Sequence, residues 1–284
     1  MSQPLLIAQV TDIHLGFDPG NPDEFNRRRL NATLAALTRM TPQPDLLLAT
    51  GDLVDRGDAE SYETVREAFA NLPFPVLYCM GNHDDRINFA SVFPDHADGG
   101  FVQYVHDAGG LRLIVVDTLE DGRHGGGFCA ERKAWLAARL DEAPDAPTLI
   151  VMHHPPVESG IEWMNTHPRE EWVANFAAAI AGHTQVRGIV SGHLHRSVVA
   201  PWEGTVVSIC ASTAPQVALE LAPIDPDTPD QRPMIIADPP AYALHRWNGQ
   251  QLVTLFETAE DHVVLARFDE RMQPLVRSLM AERP

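Results

Sequence analysis

Five short clusters of metal-binding side chains punctuate the chain between residues 12 and 195. They are Asp12-Ile13-His14, Gly51-Asp52, Gly81-Asn82-His83-Asp84, His153-His154-Pro155-Pro156 and Gly192-His193-Leu194-His195. Mixed imidazole and carboxylate donors suit Zn, Fe or Mn, whereas all-oxygen sets suit Mg or Ca. Asp12, His14, Asp52, Asn82, His153, His193 and His195 are more donors than one ion needs. Two ions about 3.5–4 Å apart, with Asp52 between them, would use them all. Such a pair lowers the pKa of a bound water from about 15.7 towards 7, producing hydroxide at neutral pH, and polarises phosphoryl oxygens. Each cluster alone has an ordinary reading. A Gly-Asp turn caps helices, an Asp-x-His pair is common on surfaces, and a lone histidine is usually structural. The argument rests on their repeated placement.

That placement is the end of a strand. Leu5–Val10, Leu46–Thr50, Val76–Met80, Thr148–Met152 and Val186–Val190 are nearly continuous apolar runs, the pattern of strands covered on both faces. A cluster follows each. Between them run helical patterns. Leu30, Leu34 and Leu37 share one face of a helix from Phe25 to Met40, which Pro42 and Pro44 stop. Further helices are expected over Asp58–Leu72, Glu131–Leu140 and Glu170–Ala181. The alternation implies βαβ units with right-handed crossovers, so the cluster-bearing ends lie along one edge of a mainly parallel sheet, where such folds bind ligands. On an extended backbone Asp12 and His14, two apart, point to one side.

The remaining elements are less regular. Phe101–Val105 and Leu111–Val116 read as a hairpin, as do Ser197–Ala200 with Thr205–Cys210. Tyr242–Trp247 and Gln251–Glu257 form another about Asn248-Gly249, and Val263–Phe268 reads as a further strand. Gly125-Gly126-Gly127 lacks the Lys-Ser/Thr end of a phosphate loop and reads as a flexible connection. Val157–Arg169 is either a pocket wall or a surface loop, and Pro223–Pro240 is an irregular excursion.

At 284 residues the chain allows one large domain, or a domain with an appendage. Cys79, Cys129 and Cys210 are far apart with no CxxC pair, as expected of free thiols in a reducing compartment. No apolar run approaches a membrane span, and Met-Ser-Gln-Pro leads into a strand without a signal sequence; the expected location is cytoplasmic. The formal net charge of −18 repels polyphosphate backbones and argues against a nucleic-acid polymer as partner. A small anionic substrate would need a local positive site, which metal can supply.

Taken in order, the five clusters resemble the signature of calcineurin-like metallophosphoesterases, over about residues 5 to 200. The resemblance implies an α/β fold, a four-layer αββα sandwich of two mixed β-sheets flanked by helices. It implies one ion held by Asp12, His14, Asp52 and His195, and another by Asp52, Asn82, His153 and His193. The histidine before x-Pro is the ligand in that family, so His153 is chosen, leaving His154 behind it or facing substrate. His83 would bind the phosphate and protonate the leaving oxygen; Asp84 would orient His83 or simply shape the turn. Gly51-Asp52-Leu53-Val54-Asp55-Arg56-Gly57 is also similar to a segment of protein Ser/Thr phosphatases, but those carry Arg before Gly-Asn-His and Glu after it, where this chain has Met80 and Asp84. Gly-Asn-His-Asp, His-His-Pro-Pro, the Trp135-Leu136 helix, Ser212-Thr213 and Tyr242–His245 resemble bacterial class III cyclic-nucleotide phosphodiesterases and glycerophosphodiesterases more closely. Residues 1–218 would then be the catalytic core. Residues 219–284 would complete the sandwich and help cap the site or form a dimer or higher homo-oligomer. The expected activity is hydrolysis of a small phosphodiester with two ions, Fe, Mn or Zn; a phosphomonoesterase or phosphoprotein phosphatase is the alternative, and a non-catalytic scaffold the remote one.

Overall fold

The computed structural model describes residues 3–96 and 100–283. Two mixed sheets lie face to face. The first has the order β13-β12-β1-β2-β3, where β1 is Leu5–Val10, β2 Leu46–Thr50, β3 Val76–Cys79, β12 Ala241–Trp247 and β13 Leu252–Thr258. Its β1, β2 and β3 are parallel, and β12 joins β1 antiparallel. The second has the order β4-β5-β6-β7-β9-β8, from Tyr104–Ala108, Leu111–Val115, Thr148–Val151, Val186–Ser191, Thr205–Ile209 and Val198–Trp202. A short pair, β10 (Gln216–Val217) and β11 (Ile235–Ile236), stands apart from both.

Strand periodicity explains the layers. In β2, Leu46 and Leu48 enter the core between the sheets, while Leu47 and Ala49 face the outer apolar cluster. In β6, Leu149 and Val151 point inward, and Ile150 joins the opposite outer cluster. Both faces are therefore dry, which is why these strands read as unbroken apolar runs. Three helices cover the first sheet: α1 (Phe25–Arg39) through Leu30, Leu34 and Leu37, α2 (Ala59–Phe69) through Tyr62 and Val65, and α3 (Arg86–Val92) through Phe89. Two cover the second: α4 (Ala130–Asp141) through Leu136 and Leu140, and α5 (Glu171–Ile180) through Phe176 and Ile180. The result is the expected αββα sandwich.

Several expectations need correction. The five cluster-bearing strands do not share one sheet edge: β1, β2 and β3 belong to the first sheet and β6 and β7 to the second. The first hairpin begins at Tyr104 rather than Phe101. Val263–Phe268 is not a strand but irregular and largely exposed, with no pairing partner to satisfy its backbone. The Gly125–Gly127 stretch is packed rather than flexible: Gly127 N–H donates to the Thr118 carbonyl at 2.9 Å, and a methyl on Gly126 would lie 2.9 Å from His154 Cβ. Helices α3 and α6 (Gln273–Ala281) were not foreseen. Among the described residues, no helix is long and apolar enough to cross a membrane.

A buried polar chain ties the two sheets together. The Gln9 amide donates to Thr50 Oγ1 at 2.8 Å and to the Ser191 carbonyl of β7 at 3.0 Å. Its carbonyl accepts from His245 Nε2 at 2.9 Å, and Thr254 Oγ1 lies 2.9 Å from His245 Nδ1. Burial pushes His245 down to about 4, so the folded ring is neutral. An unfolded histidine titrates near about 6.5. Between those values the unfolded chain binds a proton that the folded chain refuses. The contribution is complete above about pH 6.5 and is lost as pH falls towards 4, by roughly 3 kcal/mol over that window. Replacing His245→Gln should flatten the acid-side slope by that amount in denaturant titrations between pH 7 and 4. Parallel slopes in the two proteins would refute it.

Candidate metal centre

The loops that carry the candidate ligands adopt a backbone that non-glycine residues rarely use. Asp12, His14, Asp52, His193 and His195 have φ of +49°, +49°, +48°, +70° and +51°. Among the described residues only two other non-glycine residues, Glu203 and Gln231, have positive φ. Such left-handed conformations cost about 1–2 kcal/mol each and cluster at functional sites. They also correct the geometry expected for Asp12 and His14, which converge through left-handed turns and not along an extended strand. Cross-loop bonds hold the turns: Ile13 and His14 N–H both donate to the Asp52 carbonyl, at 2.8 and 2.9 Å, and Asp12 N–H donates to the Gly51 carbonyl at 3.1 Å. His193 N–H donates to Asp12 Oδ2 at 3.0 Å, joining the loops of the two sheets.

Two glycines let these loops meet. A Cβ at Gly192 would lie 1.8 Å from Thr11 Oγ1 and 2.7 Å from Asp12 Oδ2. One at Gly81 would lie 2.3 Å from Asp52 Oδ1 and 2.4 Å from the Asp52 backbone nitrogen.

The donors gather into adjoining groups. The ligand atoms of Asp12, His14, Asp52 and His195 lie within 4.8 Å of one another, as do those of His153, His154 and His193. His14 Nε2 faces His195 Nε2 at 3.3 Å and Asp52 Oδ2 at 3.6 Å. His195 Nε2 is 3.3 Å from Asp12 Oδ1. His153 Nε2 reaches Asp52 Oδ2 at 3.4 Å, joining the groups, and His193 Nδ1 lies 3.1 Å from Asn82 Oδ1.

Backbone carbonyls set the tautomers. His153 Nδ1 donates to the Thr50 carbonyl and His195 Nδ1 to the Pro215 carbonyl, each at 2.8 Å. Each Nε2 therefore faces a carboxylate oxygen, and the pair is satisfied only by a proton or a metal cation between them. His153 Nε2 is fully enclosed and has no hydrogen-bond partner, a condition a protein interior tolerates poorly. The charge pattern agrees. Burial pushes Asp52 up, but His153, His14 and His83 outweigh it and hold the carboxyl well below its ordinary range. Asp12 is likewise lowered against burial, by His195 and His153. Burial lowers His153, but Asp52 and Asp12 lift it to about 9. Burial and then neighbouring imidazoles hold His154 and His193 well below the histidine range. The donor set fits divalent metal, which would replace the protons that Asp52 and Asp12 favour on the facing imidazoles: anionic carboxylates, imidazoles anchored at Nδ1, and an orphaned buried nitrogen.

The surrounding residues differ in part from expectation. Asp84 is buried and does not orient His83. Its carboxylate accepts from Leu53 N–H at 3.1 Å, Gly81 N–H at 2.8 Å and the Tyr62 hydroxyl at 3.0 Å, fastening the Asp52 loop to the Asn82 loop. Burial, reinforced by Asp52, raises it to about 7. His83 is positioned by other groups. Its N–H donates to Asp52 Oδ1, and its Nδ1 to the Asp55 carbonyl, each at 2.8 Å, leaving Nε2 free on an exposed ring. His154 is fully buried between Thr118 Oγ1 at 2.8 Å and the His124 carbonyl at 3.2 Å, which favours the supporting role over the substrate-facing one. Sequence reasoning missed His124, whose exposed ring meets His193 edge-on at 4.8 Å. It also missed Arg29, whose buried guanidinium donates to the Thr213, Ala214 and Asp238 carbonyls and fixes the segment behind His195. Neither stands in a ligand-like pattern; only contact geometry reveals them.

Two facing mixed sheets thus carry, at their strand ends, clustered side chains that could hold metal ions. A sequence profile described as calcineurin-like phosphoesterase matches residues 5–197, well over half of the chain, and the chain belongs to that family. It is 30% identical over 256 residues to a probable glycerophosphodiester phosphodiesterase of Arcobacter nitrofigilis, covering 88% of this chain and 91% of that one. It is 34% identical over 229 residues to a probable cyclic nucleotide phosphodiesterase of Rhodopseudomonas palustris, covering 75% of this chain and 79% of that one. Among solved structures, a purple acid phosphatase from yellow lupin (Lupinus luteus) seeds superposes with a TM-score of 0.65 over 93% of this chain, at 15% identity. This chain spans 53% of that structure, and the likeness is one of fold alone.

Gly81→Ala should cut metal content by more than half after loading with Mn, measured by inductively coupled plasma mass spectrometry. Gly125→Ala, whose methyl would meet only Glu170 Oε2 at 3.9 Å, should load normally. Normal loading of both variants would show that close approach at Gly81 is unimportant.

Proposed function

We propose that the protein hydrolyses small phosphodiesters, cyclic nucleotides or glycerophosphodiesters, with two metal ions. The complete donor set carries this reading: none of the seven expected ligands is lost, whereas a scaffold has no need to keep a strained cage. Asp12, His14, Asp52 and His195 would hold one ion, and Asp52, Asn82, His153 and His193 the other, from among Fe, Mn and Zn. When bound, such ions lower the pKa of water and offset phosphoryl charge. The chain's own residues do the rest. Asn82 and His83 face the mouth of the site, where the phosphate would sit. As a water oxygen loses one proton to solvent and bonds to phosphorus, the ester P–O bond breaks, and a doubly protonated His83 gives its Nε2 proton to the departing oxygen and regains one from solvent. The Asp55 carbonyl keeps Nδ1–H and the ring angle fixed throughout. Met80 is fully buried in the outer apolar cluster of the first sheet, so its position offers no cation to a phosphate, which speaks against the phosphoprotein phosphatase reading. The names of the relatives from Arcobacter and Rhodopseudomonas support a diester substrate.

The metal-loaded protein should turn over bis(p-nitrophenyl) phosphate faster than p-nitrophenyl phosphate. Asp52→Ala should abolish turnover and empty both sites. His83→Ala should keep its metal and slow turnover by about 10²-fold or more, the usual worth of a general acid. Retention of both ions in Asp52→Ala would remove its bridging role.

The assembly proposed is a homo-oligomer working in the cytoplasm. Buried free thiols at Cys79 and Cys210 suit a reducing compartment. No residue of α6 is buried, and Val263, Leu265 and Phe268 are 85%, 93% and 73% exposed, more apolar surface than a lone subunit usually leaves wet. Light scattering should give at least a dimer, and truncation after Thr258 should shift it towards monomer. A monomeric full-length chain would refute this.

A further inference from the structure

Beside the metal-binding loops lies a cavity of about 400 Å³ whose wall is almost wholly carbon. Phe17, Phe25, Pro215 and Ile235 form its sides, and His14 and His195 its floor. Phe17 is 62% exposed and Phe25 44%, an unusual display for rings at the mouth of a polar site. The loop bearing Phe17 is pinned: the buried Glu24 carboxylate accepts from Gly16 N–H at 2.8 Å and Asp18 N–H at 3.0 Å. The ring is therefore presented on a fixed support.

We propose that this cavity is the leaving-group subsite and that it takes a nucleobase, which makes the substrate a cyclic nucleoside phosphate and not a glycerophosphodiester. The proposal rests on the phosphodiesterase reading and narrows it. A phosphate over His14 and His195 places its ester substituent against Phe17 and Phe25, and a planar base has the π-face such rings bind. A glycerol headgroup finds little here. The Asn26 amide already donates to the His14 carbonyl at 2.9 Å, and the Asp55 carboxylate is turned to His14 Nδ1 at 3.4 Å and Arg56 at 3.6 Å. A quaternary ammonium would be attracted to a bare aromatic pair, but the Arg28 and Arg29 guanidinium carbons stand 5.6 and 5.4 Å from the Phe25 ring and repel it.

The test uses the full-length, Mn-loaded protein with cyclic AMP, glycerophosphoglycerol and glycerophosphocholine. The wild type should have the highest kcat/KM for cyclic AMP. Phe17→Ala with Phe25→Ala should lower the ratio of kcat/KM for cyclic AMP to that for glycerophosphoglycerol by about tenfold, mainly through KM, and Phe17→Trp combined with Phe25→Ala should restore it. Calorimetry with AMP and with inorganic phosphate reads the subsite without turnover: the double variant should bind AMP about tenfold more weakly relative to phosphate. If no diester is hydrolysed but AMP affinity falls so, the phosphodiesterase reading fails and the subsite stands. An unchanged AMP-to-phosphate ratio, or a wild type that prefers glycerophosphoglycerol, overturns the subsite.

Discussion

Buried imidazole nitrogens set against carboxylate oxygens are the constraint around which the rest of this molecule is arranged. His153 and His195 donate Nδ1–H to backbone carbonyls, so the nitrogens they turn towards Asp52 and Asp12 are the Nε2 atoms. Asp12 and Asp52 are fully or almost fully buried beside them. Such a set is unfavourable unless protons or shared metal cations stand between the two kinds of group. Because the donors come from five loops, the cage forms only when both sheets are in register. A cation held there would couple its binding to folding through the same contacts.

The fold meets that requirement by stiffening the loops instead of relaxing them. Positive φ at five candidate ligand positions keeps those loops tightly turned. Asp84 receives two loop N–H groups and the Tyr62 hydroxyl, while Arg29 gathers three carbonyls behind the Pro215 segment. None of these residues needs to touch a metal to matter. A ligand displaced by an ångström is a poor ligand, and these bonds limit that displacement.

Much of this was legible in the sequence because period and position are one-dimensional signals. The dry strands β2 and β6 announced themselves as apolar runs, and each cluster stood at a strand end. What stayed hidden was three-dimensional. Nothing in the periodicity of Val76–Met80 or Thr148–Met152 says that they lie in different sheets, since strands covered on both faces look alike in either. Asp12 and His14 were correctly grouped for a wrong reason, since a period-two rule applies to extended backbone and both residues are left-handed. Asp84 could be read as a turn residue or a partner of His83, because its actual partners, Leu53 and Tyr62, come from elsewhere in the chain. The exposed apolar run at Val263–Phe268 resembled a strand because hydrophobicity marks burial of any kind, including burial by another molecule.

The strain in the loops also bears on why the sheets are joined by polar groups where apolar packing would be simpler. Hydrophobic contacts between the sheets tolerate small slides, since one leucine against another has no strong preferred register. A slide of that kind would separate Asp12 and Asp52, carried by the first sheet, from His153 and His193, carried by the second. Directional bonds do not permit it. The Gln9 amide reaches Ser191 across the interface just beneath the cage, and His193 N–H reaches Asp12 within it. Gln9 is itself held by the neutral His245 of β12, so a strand contributed by residues 241–247 fixes the register of candidate ligands drawn from residues 12 to 195. The C-terminal segment is then more than a cover for an exposed sheet edge. It is part of what holds the two halves of the cage at bonding distance.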